Sequence, residues 1–153
     1  SRSAPLRMQR RSPSTFNDPA DSVIPIRVVA AVIERGGRLL LGLRPAEKRH
    51  GGLWEFPGGK LDGAETAAEA AHRELKEELS LEVTAVGERL TTIQDEGSPF
   101  VIEFYRVVAE GEPEAIEHEE VRWFRLDELG EYSLAPADTA FATWLVADRL
   151  REV

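Results

Sequence analysis

Three glutamates, Glu74, Glu77 and Glu78, stand at i, i+3 and i+4 within the stretch GGKLDGAETAAEAAHRELKEELSL that begins at Gly58. At about 3.6 residues per turn, this spacing puts all three on one face of a helix. Carboxylates crowded there repel one another unless a cation sits among them, and their oxygens are hard donors suited to Mg²⁺, with Mn²⁺ as an alternative. Ions held in this way bridge phosphate oxygens, polarise phosphorus and lower the pKa of a bound water. The other reading of the same residues is a solvated acidic face, with Glu74 and Glu77 beside Lys or Arg neighbours. Gly58 and Gly59 let the backbone come close to ions and phosphates, with the Gly58 carbonyl as a further donor; a plain turn is the alternative.

Such a face needs a helix with a fixed start. Thr66-Ala67-Ala68-Glu69 is a capping-box pattern that predicts a helix over 67–79, whose alanines, with Leu75 and Leu79, form a small apolar face. Upstream, 26–34 (IRVVAAVIE) is β-branched and apolar, as expected of a strand buried on both faces. Arg35-Gly36-Gly37 signals a hairpin into a second strand over 38–44. A basic loop, PAEKRHGG, leads to a short strand over 53–56 that Pro57-Gly58-Gly59-Lys60 ends. Downstream, 81–92 and 100–110 alternate as strands joined through Asp95-Glu96-Gly97-Ser98-Pro99, and 121–125 is a further short strand. Pro136 suits the first turn of a last helix with Phe141, Trp144, Leu145 and Leu150 as its inner stripe. Strands, helix, strands, helix, without βαβ alternation, predict an α+β fold: a mixed sheet between helices, layered α/β/α.

A chain of 153 residues, 42% of them hydrophobic and 31% charged, fits one domain with a real core. The sequence divides into an arm over 1–22, rich in Arg, Pro and Ser, and a domain over 23–153. The arm is expected to be loosely attached, with Arg7, Arg10 and Arg11 as a basic cluster and Met8 as a candidate native start. The net charge of −9 argues against binding a nucleic acid polymer, but not against a small phosphorylated ligand met by cations and local Arg or Lys residues. With no cysteine, disulfides and thiolate metal sites are excluded, which suits a reducing cytoplasm. No apolar run reaches the ~20 residues that span a bilayer, so no membrane association is expected.

Gly59, Glu65, Arg73, Glu74, Leu75, Glu77, Glu78 and Leu81 match the Nudix box, G-x5-E-x7-R-E-U-x-E-E-x-G-U, where U is a bulky aliphatic residue; Ser80 stands where the pattern has Gly. With each fixed residue at roughly one position in ten, the Gly, Arg and Glu matches together have chance odds of about one in a million per start site. The chain therefore resembles the Nudix hydrolase family. The departure at Ser80 touches only the helix end, where a left-handed conformation is wanted and a side chain costs about 1 kcal/mol. The resemblance extends over about 25–146. Glu55-Phe56-Pro57-Gly58-Gly59-Lys60 is similar to the lead-in of the MutT-type branch, and Leu134-Ala135-Pro136-Ala137-Asp138 to its base-recognition segment. A P-loop is excluded by Trp54 and Leu61, and an EF-hand by the composition of 62–73.

The resemblance implies Mg²⁺-dependent hydrolysis of a nucleoside triphosphate to the monophosphate and pyrophosphate by a monomer or homodimer. The expected task is nucleotide-pool sanitation on 8-oxo-dGTP. Cytidine triphosphates are the alternative, because Asp138 stands where guanine-selective members often carry an amide; ADP-ribose-type substrates and a non-catalytic nucleotide-binding module also remain. Glu74, Glu77 and Glu78 are the implied metal ligands and catalytic carboxylates. Glu65 and Arg73 are implied to fix the loop–helix geometry through a salt bridge. Glu117, in the acidic loop EPEAIEHEE, is the candidate for a further ligand or catalytic base, with Glu120 and then Glu119 as competitors. Substrate contacts are assigned to Arg44, Lys60 and the Gly59 backbone at phosphate, to Asp138 at the base edge, and to Phe56 beside the base. For these, an exposed Lys60, a core Phe56 and an Asp138 that serves a helix start are the alternatives. His50, His72 and His118 show no ligand spacing and are read as incidental.

Overall fold

The computed structural model describes residues 24–152. The N-terminal arm, with Arg7, Met8, Arg10 and Arg11, lies outside the described residues. The strands are β1 (Ile26–Val32), β2 (Glu34–Arg35), β3 (Arg38–Leu43), β4 (Trp54–Glu55), β5 (Gly58–Lys60), β6 (Glu82–Ile93), β7 (Phe100–Glu110) and β8 (Glu120–Arg125). The helices are α1 (Ala67–Leu79) and α2 (Pro136–Arg151), and a 3₁₀ turn over Leu126–Glu131, which the sequence pattern did not mark, precedes α2.

The strands form two sheets. One is mixed, in the order β5-β1-β7-β6, with β1 parallel to β7 and antiparallel to β5. In the other, β3 pairs antiparallel with β2, β4 and β8. The single strand expected over 26–34 is thus broken at Ile33: β1 serves one sheet, and β2 turns through Gly36-Gly37 into β3 of the other. β1 shows why its sequence is apolar throughout. Ala30 and Val32 pack with Phe104, Phe141 and Leu145 on the α2 side, while Ala31 and Ile33 pack with Leu75 and Leu79 on the α1 side. Leu39 and Leu41 likewise face one layer and Leu40 the other. These layers form the expected mixed sheet between helices.

Two details differ from the sequence expectation. Leu150 is 69% exposed, because the last turn of α2 runs past the core that Phe141 and Leu145 fill. Gly58-Gly59-Lys60 does not simply end a strand; it is itself β5, paired with Val28, Val29 and Ala30. Gly58 has φ of 151°, and a Cβ there would collide with the Val29 carbonyl, so no side chain could enter this register.

Candidate active site

Helix α1 begins as its capping box requires: Glu69 N–H donates to Thr66 Oγ1 at 3.1 Å and Thr66 N–H to the Glu69 carboxylate at 2.9 Å. It ends on Ser80, whose φ of 59° and ψ of 31° are left-handed. Between these ends, Arg73 donates to both oxygens of Glu65, through Nε at 2.8 Å and Nη2 at 2.9 Å, and to the Lys60 carbonyl at 3.1 Å. Glu65 also accepts the Asp62 N–H at 2.8 Å. One arginine therefore ties the helix to the loop after β5. Its guanidinium, beside Glu65, and then the Asp62 N–H hold the Glu65 carboxyl down to about 2.

The three carboxylates of the helix face differ in depth. Glu78 is buried, Glu74 is half-buried, and the Glu77 side chain is 53% exposed. Arg73 draws Glu74 to 3.3 Å and Glu77 to 3.5 Å. Glu74 lies directly against Gly59, so close that a Cβ at Gly59 would occupy the position of its carboxylate. Burial, followed by Glu74, Glu55 and Glu117, pushes the Glu78 carboxyl well above the usual range. As the side chains stand, no group of three or more His, Asp and Glu among the described residues converges closely enough to hold an ion.

In front of β5 lies a cleft of about 680 Å³. Arg44, Phe56, Gly58, Gly59, Lys60, Glu78, Glu117 and Asp138 all line it; Glu74, Glu77, Glu65 and Arg73 do not. Glu55, Glu78 and Glu117 are acidic residues of this lining, and after burial and Glu74, Glu55 and Glu117 both push the Glu78 carboxyl up. Glu117 is exposed on a loop whose backbone is hydrogen-bonded at both ends: Ile116 N–H to the Glu78 carbonyl at 3.2 Å and Glu119 N–H to the Leu43 carbonyl at 2.9 Å. Glu120 instead lies on β8, where its carboxylate is held by Arg122 at 2.8 Å and does not line the cleft. Arg44 lines the cleft with its Nη1 on Glu55 at 3.0 Å and its Nε on the Arg49 carbonyl at 2.6 Å. The Lys60 ammonium and the Arg49 guanidinium both lie over the Phe100 ring, 5.3 and 5.8 Å from its centroid.

A further carboxyl of the lining comes from α2. Asp138, in the first turn of α2, is only 8% exposed, and its Oδ1 accepts the Phe56 N–H at 2.9 Å. Burial pushes its pKa up to about 8, against the lowering effect of that hydrogen bond. The Phe56 ring is core: it meets Phe104 at 6.0 Å and Phe141 at 5.2 Å, both edge to face. Phe56 therefore serves Asp138 through its backbone, and its ring is occupied by core packing.

Two residues escaped the sequence reading. His118 is not incidental: it is buried, and its Nε2 lies 2.9 Å from Glu55 Oε2. Glu55 has both oxygens engaged, one by Arg44 and one by His118. The signal for Glu55 lay in the EFPGGK run, where it sits between the buried Trp54 and Phe56 and so must face the opposite way. Nothing in the sequence marks its partner, 63 positions away.

Residues 24–145 match the family model described as the NUDIX domain. The chain is 44% identical over 116 residues to the CTP pyrophosphohydrolase of Escherichia coli, covering 74% of this chain and 85% of that protein. It is 42% identical over 60 residues to the 8-oxo-dGTP diphosphatase of Proteus vulgaris, 39% of this chain and 54% of that one. The crystal structure of a MutT NUDIX hydrolase from Burkholderia pseudomallei superposes with a TM-score of 0.70 at 32% identity, covering 78% of this chain and 96% of that chain. Among the described residues no helix is long and apolar enough to cross a membrane.

Proposed function

Because this chain belongs to the NUDIX family, we propose that its cleft hydrolyses a nucleoside triphosphate to the monophosphate and pyrophosphate, with 8-oxo-dGTP as the leading substrate. It is a Nudix hydrolase, an enzyme of a family that acts on nucleotides and uses divalent metal ions. The observation that carries the reading is the lining of the cleft. Glu55, Glu78, Glu117 and a buried Asp138 line it together with the cations Arg44 and Lys60.

The donor set fits a hard divalent cation. The charges that bear most on buried Glu78 are all negative, from Glu74, Glu55 and Glu117, and oxygen donors crowded in this way take Mg²⁺ or Mn²⁺. Glu74, Glu77, Glu78 and the Gly58 carbonyl are the proposed ligands, with Glu117 as a further one. The bound cation supplies charge neutralisation on the phosphate oxygens and a more acidic water. Glu117, exposed and unpaired with any arginine or lysine among the described residues, accepts the proton of the attacking water as the bond to pyrophosphate breaks. Arg44 and Lys60 bind phosphate oxygens, and the Gly59 backbone permits their close approach. Asp138 reads the base edge. At neutral pH its carboxyl is largely protonated, so it can donate as well as accept, which suits an edge that offers a donor beside an acceptor.

Cytidine triphosphate is the second reading, favoured by the Escherichia coli relative, because cytosine presents its amino group beside N3 and matches such a carboxyl equally well. Pyrophosphate release from a panel of nucleoside triphosphates with Mg²⁺, compared with the Glu77→Gln variant, tests both. Turnover concentrated on 8-oxo-dGTP and suppressed by about 10² or more in Glu77→Gln is expected; equal activity of that variant would remove its assigned role.

A further inference from the structure

His118 has no place in the chemistry above, yet its geometry is unusually constrained. Its Nε2 meets Glu55 at 2.9 Å, its ring is buried, and its Nδ1 has no partner among the described residues. A buried, half-satisfied imidazole is costly to keep, and an apolar residue of similar size would avoid that cost. β3 makes room for it at Gly42: a Cβ at that position would lie 2.5 Å from the His118 ring. Next to it in sequence stands Glu117, on a loop held by backbone bonds from Glu114, Ile116 and Glu119.

We propose that His118 is a positioning residue for hydrolysis: by donating to Glu55 from inside this loop, it fixes the neighbouring Glu117 carboxylate opposite Glu78. The inference rests on the reading of Glu117 given above. Glu55 is a firm anchor because Arg44 holds its other oxygen at 3.0 Å and β4 its backbone, paired with Gly42. The chain thus runs from β4 through Glu55 and His118 to Glu117, and backbone bonds to Glu78 and Leu43 set only its ends.

Three variants test it: His118→Leu removes the donor while keeping the volume, His118→Gln keeps an N–H at the reach of Nε2, and Gly42→Ala forces the ring from its place. The readouts are kcat and KM for the best nucleotide of the panel, and Mn²⁺ affinity of the nucleotide-free protein by electron paramagnetic resonance. In His118→Leu, kcat falls tenfold or more while KM moves less than threefold, and Mn²⁺ binds severalfold more weakly. His118→Gln returns kcat to within threefold of the parent, and Gly42→Ala repeats the Leu defect with cooperative unfolding intact. A kcat within twofold of the parent in His118→Leu, or a Gln variant as impaired as the Leu one, overturns the proposal. Parent protein inactive on every nucleotide would sink the hydrolase reading instead; unchanged Mn²⁺ affinity in His118→Leu would then overturn this one by itself.

Discussion

The N–H of Phe56 donates to Oδ1 of Asp138 at 2.9 Å, joining the end of β4 to the first turn of α2 across 82 positions of sequence. This bond holds a buried carboxyl in the lining of the cleft, and burial, against the lowering effect of the bond itself, lifts its titration into the neutral range. The folded-state pKa of about 8 lies above the ordinary value of 3.8, so the folded protein keeps a proton that the unfolded chain has released. The stability this contributes is complete below about 3.8 and is lost as pH rises toward 8. Asp138→Asn keeps the acceptor for Phe56 and removes the titration. It should gain stability relative to the parent between pH 4 and 8, on the order of a few kcal/mol, and none below pH 4. Urea midpoints across that range measure it; a constant difference would mean that Asp138 is ionised at neutral pH. Asn offers the same donor beside an acceptor as the protonated carboxyl, so relative rates across bases should stay close to the parent's, whereas Asp138→Leu should change them; unchanged relative rates in Asp138→Leu would remove the role at the base edge.

Glu78 leads to a prediction about metal. Its carboxyl is held protonated by burial and by Glu74, Glu55 and Glu117, so a cation must displace a proton to bind there. Calorimetric titration with Mg²⁺ at pH 7.5, in buffers of different ionisation enthalpy, should therefore register a net proton release, and Glu78→Gln should abolish it. Binding without proton release would exclude Glu78 as a ligand.

Glu117 and Glu120 separate cleanly in space, although three positions of one acidic loop sequence divide them. Glu117→Gln should lower kcat by about 10² or more, the range of a general base. Glu120→Gln, which loses a carboxylate held by Arg122 at 2.8 Å and outside the cleft lining, should leave kcat within twofold. The reverse ranking in steady-state kinetics would transfer the role.

Ser80 carries a left-handed φ of 59° at the end of α1. Replacing it with Gly relieves about 1 kcal/mol of backbone strain, offset in part by the greater entropy of the unfolded chain. A rise in Tm of about 2 °C is expected for a domain of this size, with no change in kcat. A fall in Tm would mean that the Ser80 side chain contributes more than its strain costs.

The Glu65–Arg73 pair should survive deep into acid. With the Glu65 pKa lowered from 4.5 to about 2, its contribution is complete above 4.5 and disappears only as pH falls through 2. Destabilisation by Glu65→Gln should therefore be largest at neutral pH and shrink between pH 4.5 and 2. Arg73→Lys should also destabilise, because an ammonium cannot grip both carboxylate oxygens and the Lys60 carbonyl together. Denaturant midpoints at pH 7 and 3 check both.

Sequence alone determined the parts that depend on near neighbours. The Thr66–Glu69 cap, the helix it starts, the left-handed demand at Ser80 and the shared face of Glu74, Glu77 and Glu78 are all set within a few residues, so spacing reveals them. The apolar run of β1 revealed burial on both faces, because each side chain of a strand reports its own layer. Tertiary structure alone decided which of those carboxylates faces the cleft. The helix presents all three, but β5 brings Gly59 against Glu74 and leaves only Glu78 in the wall. It also decided that Phe56 belongs to the core, that Asp138 is buried, and that His118 meets Glu55. Those contacts span 63 and 82 positions, and their energetics come from desolvation and hydrogen bonds that exist only once both sheets and α2 have closed around the cleft.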